Sequence, residues 1–126
     1  MVLEHEELTG RIIGAAIAVH KAPGPGFVES FYENAFVIEL RYRDIVFQRQ
    51  LLVPVIHRGA EVGMHRLDLL VDGKVVVELK AVKQIPNIAF SITRSYLRAV
   101  NSDHGLILNF AKTPLEVKRV MARNST

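Results

Sequence analysis

The fold is decided by residues 65–71 (HRLDLLV) and 74–80 (KVVVELK), two apolar runs that an Asp-Gly dipeptide joins. Each run has the composition of a strand, and Asp-Gly between two such runs is a strong hairpin signal. The unusual feature is the presence of two carboxylates, Asp68 and Glu78, inside core-like sequence. A buried carboxylate is costly unless it is paired or bound to a cation. The two acids of the hairpin therefore need an explanation, and binding of a divalent metal ion is the most specific explanation.

The length of the hairpin loop decides whether the two carboxylates meet. Side chains alternate between the faces of a strand, which predicts two sets with a common face: Arg66, Asp68 and Leu70 on the first strand, and Val76, Glu78 and Lys80 on the second. A two-residue loop would pair Asp68 with Val77 and send Glu78 to the opposite face. A loop of three residues restores a common face. The sequence leaves both loop lengths open.

Length and composition bound the class of protein. The chain has 126 residues, 49% of them hydrophobic and 23% charged, which predicts one packed domain over residues 1–126. It has no cysteine, so disulfides, thiolate zinc sites and a cysteine nucleophile are excluded. The first residues lack a basic segment, and no apolar run is long enough for a membrane span. We therefore expect a cytoplasmic protein with no membrane partner.

The charge and hydropathy of the chain bear on its partners. The net charge is +3 and the sequence pI is about 9.4, which is compatible with a polyanionic partner such as nucleic acid. The mean hydropathy is positive, which is compatible with a homodimer that hides apolar surface. Neither property selects a function by itself.

The predicted elements follow the order α-α-β-β-β-α-β, which favours an α/β fold with a mixed central sheet flanked by helices. Pro54 within the first strand indicates an edge strand or a bulge. Residues 114–121 are compatible with either a helix or a strand. The third helix should present one face to the sheet, formed by Ala89, Ile92, Tyr96 and Val100.

The second helix carries a further acid, Glu29, directly after a Gly-Pro-Gly turn. Glu29 shares a helical stripe with Glu33, Phe36 and Leu40, so it should point inward at the start of the helix. The simpler interpretation is an acid that complements the helix dipole. If it joins the hairpin acids, the group supplies the hard oxygen ligands that Mg²⁺ or Mn²⁺ prefers.

The basic residues allow both functional and structural interpretations. Lys80, one step along the face of Glu78, could orient a metal-bound water and offset transition-state charge, whereas the alternative is a surface salt bridge. Arg94 and Arg98 lie one turn apart on the third helix, as a phosphate-binding stripe or as part of a solvated face. The histidines are scattered, and we assign none of them to a metal.

A family resemblance rests on residues 26–32 (GFVESFY), which match the GxxExxY signature that names one bacterial protein family. Further matching segments occur in order along nearly the whole chain: residues 12–16 and 19–20, residues 24–26, Arg66 with Asp68, residues 78–80, residues 96–97 and residues 108–110. This family is similar to the PD-(D/E)XK nuclease superfamily, whose restriction-endonuclease-like core has the order α-β-β-β-α-β.

The resemblance implies roles for individual residues. Asp68 takes the place of the first-strand acid, and residues 78–80 that of the (D/E)xK element, so that Asp68, Glu78 and Lys80 would be catalytic. The metal ligands would be Glu29, Asp68, Glu78 and the carbonyl of Leu79. Tyr96 and Arg66 would support the site, and Arg94 and Arg98 would bind substrate. The implied activity is Mg²⁺- or Mn²⁺-dependent hydrolysis of nucleic acid, with DNA favoured over RNA.

One position departs from the pattern of related nucleases, which often carry a glutamine four residues before the tyrosine of the third helix. Here that position is Ile92, one turn before Tyr96. The exchange leaves two functions open. The first is a nuclease, which the acids and Lys80 favour. The second is a catalytically degenerate module on the same fold that binds nucleic acid or protein, which Ile92 favours.

Overall fold

The structure is a computed structural model that describes residues 5–122. Its elements are α1 (Glu6–Lys21), α2 (Glu29–Tyr42), β1 (Phe47–His57), β2 (Ala60–Val71), β3 (Val75–Lys80), α3 (Asn87–Ala99), β4 (His104–Asn109) and β5 (Glu116–Met121). The predicted α/β class and restriction-endonuclease-like order are confirmed. Residues 114–121, which the sequence left ambiguous, contain the strand β5.

The five strands form one mixed sheet in the order β1-β2-β3-β4-β5. Only the β3–β4 pair is parallel, and the other three pairs are antiparallel. A parallel pair needs a crossover, and α3 supplies it. Strand β1 is an edge strand with a register shift after Val55, next to Pro54, as the proline predicts. Within residues 5–122 no helix is long and apolar enough to cross a membrane.

Helices cover both faces of the sheet. On one face, α1 and α2 bury Ile12 and Phe36 against strand residues such as Val77. On the other face, α3 buries Leu97 against a second set that includes Val76. Strands β3 and β4 are thus covered on both sides, which explains why both read as nearly continuous apolar runs.

The β2–β3 hairpin has the three-residue loop that a common face requires. Val71 pairs with Val75, so residues 72–74 lie outside the ladder. Asp72 and Gly73 both have a positive φ, as the central residues of a type I′ turn do. The amide of Lys74 donates to the carbonyl of Val71 at 3.0 Å and adds the third residue. Continuing this register places Asp68 opposite Glu78.

Regular alternation along β2 was predicted, and this prediction is wrong at Asp68. Leu67 and Leu70 both pack in the cluster beneath α3, which a regular strand cannot achieve. The irregularity coincides with a break in the β1–β2 ladder, where Gln50 has a φ of 51° and does not pair with Asp68. Arg66 is exposed, and its neighbour Leu67 is buried in that cluster.

The predicted sheet-facing stripe of α3 is wrong at Ile92, which is 41% exposed, whereas Ala89, Tyr96 and Val100 do pack in the cluster beneath the helix. The residues that α3 buries are Ala89, Thr93 and Leu97, spaced four apart. The helix is thus rotated about its axis relative to the predicted orientation, and Gly105 on β4 accounts for this rotation. A Cβ at this glycine would lie only 3.2 Å from the methyl group of Thr93 and 3.3 Å from Leu97. The absence of a side chain there lets this stripe approach the sheet closely.

Candidate active site

The centre of the candidate site is a gap in the sheet between β2 and β3 that two carboxylates bridge. The amide of Asp68 donates to Glu78 Oε2 at 2.9 Å. In return, the amide of Leu79 donates to Asp68 Oδ2 at 2.8 Å. The backbone pairing between the strands ends one residue earlier, at Leu69 and Val77. The two side chains thus replace a pair of backbone hydrogen bonds and are held beside each other by the strands themselves.

Each carboxylate keeps one oxygen for another partner. Asp68 Oδ1 and Glu78 Oε1 accept no hydrogen bond from the part of the chain that the structure describes. Both groups lie in a partly desolvated position, since Glu78 is 7% exposed and Asp68 is half-buried. Two free oxygens on neighbouring buried carboxylates form a donor set that suits a hard cation.

Burial and mutual repulsion shift the pKa values of both acids upward. Burial is the main cause that raises the pKa of Glu78 to about 8, and the neighbouring charge of Asp68 adds to it. Burial likewise raises the pKa of Asp68, although its hydrogen bond from the Leu79 amide opposes the shift. Without a cation, the pair therefore does not carry two full negative charges at neutral pH.

The charges around the pair are predominantly negative. Glu29 and Glu33 both raise the pKa of Asp68, and Lys80 lowers it. Glu33 is itself paired with Arg49 at 2.9 Å. Counting Asp68 and Glu78 with Glu29 and Glu33 gives four carboxylates against two cations, Lys80 and Arg49, an excess of two negative charges when all are ionised. A divalent ion would balance this excess.

Glu33 contributes a network that the sequence did not predict. It is buried, and its Oε2 accepts hydrogen bonds from Arg49 Nε at 3.1 Å and Nη2 at 2.9 Å. Its Oε1 accepts a hydrogen bond from Gln50 Nε2 at 2.8 Å. Gln50 is the residue with positive φ opposite Asp68, so this network holds the irregular part of β1 beside the site. The spacing of four residues from Glu29 was the available signal, but the partners on β1 depend on the strand irregularity.

Glu29 lies at the outer edge of the site rather than within it. It is the first residue of α2 and is exposed. Among residues 5–122, Glu29, Asp68 and Glu78 do not form a group whose ligand atoms all lie within 4.8 Å of one another. Its negative charge nevertheless raises the pKa of both Asp68 and Glu78.

Tyr32, the tyrosine of the GxxExxY signature, ties α2 to the loop that precedes it. Its hydroxyl donates to the carbonyl of Gly24 and accepts from the amide of Phe27 at 3.2 Å. The buried ring stacks on Phe110 with centroids 4.6 Å apart. Tyr32 therefore fixes the loop that precedes α2, and with it the start of the helix where Glu29 stands.

Two other predicted residues border the carboxylate pair. Lys80 is half-buried, and its charge lowers the pKa of both acids, although no ion pair within 4.0 Å joins it to a carboxylate in the described chain. Burial raises the pKa of Tyr96, and the charges of Glu78 and Asp68 raise it further.

The ring of Tyr96 is held from its other side by His65. The two rings meet edge to face with centroids 4.7 Å apart. His65 Nε2 in turn lies 2.8 Å from the hydroxyl of Ser95, the residue before Tyr96. This contact links β2 to α3 and fixes the tyrosine beside the carboxylates.

The structure does not bring the predicted arginines to the carboxylates. Arg66, Arg94 and Arg98 are not among the charges that shift the pKa values of Asp68 and Glu78. Arg94 lies within 3.4 Å of the Ser91 hydroxyl on the same helix. Arg98 lines a cavity of about 580 Å³ together with residues of the β2–β3 turn, at the other end of β3 from Glu78.

One of three comparisons with known proteins found a match. The model of the PD-(D/E)XK nuclease superfamily matches residues 6–120. The chain therefore belongs to the PD-(D/E)XK nuclease superfamily, whose members typically use divalent metal ions and act on nucleic acid. No curated protein and no solved structure gave a significant match. The narrower GxxExxY resemblance stays a prediction.

Proposed function

We propose that the protein is a Mg²⁺- or Mn²⁺-dependent nuclease that hydrolyses phosphodiester bonds of nucleic acid at the Asp68–Glu78 pair. The observation that carries the proposal is the reciprocal bonding of these two carboxylates, which leaves one free oxygen on the buried Glu78 and one on the half-buried Asp68. Their raised pKa values mark the energetic cost of keeping both charged without a cation. Such a cost is typical of groups kept for function.

The residues that would hold the ion are Asp68 and Glu78 directly, with the carbonyl of Leu79 and the carboxylate of Glu29 as further oxygen donors. Glu29 would act through a water molecule or after a change of rotamer, because it stands at the edge of the site. When bound, the ion supplies charge neutralisation at the scissile phosphate and lowers the pKa of a water molecule.

Side chains of the protein would position the water and the substrate phosphate. Lys80 projects beside the pair and would hold the attacking water by a hydrogen bond while offsetting the negative charge that develops on the phosphate. The Tyr96 hydroxyl would stay protonated, since its pKa is raised, and can donate a hydrogen bond to a phosphate oxygen. Glu33 and Arg49 keep β1 in place next to Asp68.

The substrate class follows from the superfamily, and the basic net charge of the chain is consistent with it. DNA is the first substrate to test, and RNA the second. Homodimerisation would be one way to gather enough phosphate contacts. Several apolar side chains on the β1–β2 hairpin are exposed and available for such contact: Leu52, Ile56, Val62 and Met64.

The test is a cleavage assay with single- and double-stranded DNA and RNA, with Mg²⁺, Mn²⁺ or chelator. Asp68→Asn and Lys80→Met should abolish metal-dependent cleavage. Two matched controls, Asp72→Asn in the turn and Lys83→Met in the loop after β3, make the same chemical changes at exposed positions outside the site and should retain activity. Cleavage that survives Asp68→Asn, or that needs no metal, would refute the proposal.

A second candidate function is a module that binds nucleic acid or protein without turnover. The observation that favours it is Ile92, an exposed aliphatic side chain one turn from Tyr96 where related nucleases often carry a glutamine. Ile88, a further turn away, is 61% exposed, so the two form an apolar stripe. Nucleic-acid binding that weakens steeply with salt, without cleavage under any metal, would select this function.

A further inference from the structure

A second group of potential metal ligands lies away from the carboxylate pair. His5, Asp103 and His104 each offer one ligand atom, and the three atoms lie within 4.8 Å of one another. His5 Nε2 is 3.7 Å from Asp103 Oδ1, and His104 Nδ1 is 3.3 Å from the same oxygen. The two imidazole rings meet edge to face, with centroids 5.5 Å apart.

These distances are close to those of a tetrahedral zinc site. Zinc binds imidazole nitrogen and carboxylate oxygen at about 2.0–2.2 Å, so neighbouring ligand atoms in a tetrahedron are roughly 3.3–3.5 Å apart. The two separations from Asp103 Oδ1 are 3.3 Å, at the lower end of this range, and 3.7 Å, slightly above it. Two nitrogens and one oxygen favour Zn²⁺ over Mg²⁺, which prefers oxygen ligands only.

Strand β4 and the turn before it fix the position of His104 and Asp103. His104 is the first residue of β4, and its side chain is only 5% exposed. The hydroxyl of Ser102 accepts a hydrogen bond from the His104 amide at 3.3 Å and donates one to the carbonyl of Lys74, which fixes the turn before the strand. The position of His104 and the adjacent Asp103 is therefore set by the sheet.

His5 reaches the group from the start of α1 in a conformation that costs energy. Its φ of 60° lies in the left-handed region, which non-glycine residues adopt infrequently. Its carbonyl accepts the first helical hydrogen bond, from Thr9 at 2.8 Å, but its side chain does not cap the helix. The side chain is turned toward Asp103 and His104 instead.

The group is separate from the proposed catalytic site. His104 pairs with Val75 at the beginning of β3, whereas Glu78 pairs with Ile107, three residues further along both strands. Three residues of strand span about 10 Å. The cavity of about 580 Å³ is lined by His5 and Asp103 and gives a fourth coordination position access to solvent.

We propose that His5, Asp103 and His104 bind a zinc ion that joins the first turn of α1 to the beginning of β4. The fourth ligand is water, or a small anion that enters from the cavity, where Lys74 and Arg98 also lie. The chain has no cysteine, so histidine and carboxylate are the ligands available for such a zinc ion. The ion pins the N-terminal turn of α1 to the sheet. This inference does not rest on the nuclease activity.

The test uses the full chain in an Asp68→Asn/Glu78→Gln background, so that the carboxylate pair does not compete for metal. Zn²⁺ binding is followed by calorimetry and thermal unfolding, and Co²⁺ as a zinc substitute is followed by visible absorption, because tetrahedral Co²⁺ absorbs far more strongly than octahedral Co²⁺. We expect one zinc per chain and a tetrahedral Co²⁺ spectrum.

Variants of the ligands identify the site. His5→Gln and Asp103→Asn should each weaken Zn²⁺ binding by on the order of 100-fold, since changes even outside the ligand set cost about 10–100-fold. Both side chains are partly exposed, so these variants should fold, which circular dichroism checks. His57→Gln, at an exposed histidine at the end of β1, is the matched control and should bind as the background does. Absence of zinc binding in the background, or equal affinity in His5→Gln, would overturn the proposal.

Discussion

Asp68 and Glu78 exchange hydrogen bonds across the gap between β2 and β3: Glu78 accepts the amide of Asp68, and Asp68 accepts the amide of the residue after Glu78. Each acid therefore has two tasks, since one oxygen closes the sheet and the other is left for a cation. Replacing either acid by its amide preserves an oxygen that can accept the backbone bond, while removing the charge. This property makes the amide variants informative.

The first prediction concerns the dependence of stability on pH without metal. The pKa of Glu78 is about 8 in the folded protein, whereas the ordinary pKa of a glutamate is 4.5. Folding therefore takes up a proton between these values. The stabilising contribution is full below about pH 4.5 and is lost as the pH rises through about 8.

Glu78→Gln should accordingly be close to wild type in stability at about pH 5 and more stable by a few kcal/mol at about pH 9. Urea unfolding at both pH values, in the presence of chelator, measures the difference. Glu61→Gln, at an exposed acid of β2, is the control and should track the wild type. A constant difference between wild type and Glu78→Gln across this range would show that Glu78 is ionised normally in the folded protein.

The second prediction concerns the response to metal. Mn²⁺ or Mg²⁺ should raise the free energy of unfolding by mass action, by about 2.7 kcal/mol at a concentration 100 times the dissociation constant, and the melting temperature should rise with it. The gain should be larger at about pH 8.5 than at about pH 6, because at the lower pH the ion must displace a proton from Glu78. Thermal unfolding with chelator and with each metal measures it.

The carboxylate variants give the comparison for this prediction. Asp68→Asn and Glu78→Gln should lose the Mn²⁺ response while remaining at least as stable as wild type without metal. Glu61→Gln should keep it. If all four proteins respond alike to millimolar Mn²⁺, the ion binds elsewhere.

The third prediction concerns Ile92. Because this side chain is 41% exposed, Ile92→Gln should change the free energy of unfolding by no more than about 0.5 kcal/mol. It should raise metal-dependent cleavage by about 10–100-fold, because a polar group beside Tyr96 restores a contact to the ligands or the phosphate. Cleavage rates of wild type and Ile92→Gln under one set of conditions decide this. Ile88→Gln, one turn further away and more exposed, is the control. Strong wild-type cleavage that Ile92→Gln leaves unchanged would remove this position from the account.

The fourth prediction concerns the buried partner of Arg49. Arg49→Met keeps the aliphatic stem but removes three hydrogen bonds, two to Glu33 and one to Asn34. The charge of Glu33 then remains close to Asp68 with only Gln50 bonded to it. We expect a loss of about 1–3 kcal/mol without metal, and a metal-induced gain larger than that of wild type.

The matched control is Arg43→Met, which removes an ion pair with Glu39 on the surface of α2. Exposed pairs of this kind contribute about 0.3–0.5 kcal/mol. Equal effects of Arg49→Met and Arg43→Met would mean that the Glu33 network does not support the site.

The sequence predicted the hairpin and its acids because their signals are local. Asp-Gly specifies a turn with positive φ at both positions, and the acids stand out against an apolar strand. The loop length was left open because Lys74 is compatible with either the turn or the strand. Hydrogen bonding to Val71 places it in the turn.

The features that the sequence could not predict depend on distant partners. Helical spacing alone allowed Ile92 to face the sheet. Because Gly105 has no side chain, α3 packs closely against it through Thr93, and Ile92 is left exposed. The irregularity opposite Gln50, which has a positive φ, breaks the alternation that predicted a common face for Asp68 and Leu70. The grouping of His5 with His104 joins two ends of the chain that no sequence spacing connects.

The most direct test of the central claim is a crystal structure of the wild-type protein grown or soaked with Mn²⁺, with anomalous diffraction used to locate the ion. We expect an anomalous peak for Mn²⁺ about 2.1 Å from the free oxygens of Asp68 and Glu78, with Lys80 beside it. A well-occupied Mn²⁺ at another place, or no peak at this pair with both carboxylates still bonded to the backbone amides, would contradict it.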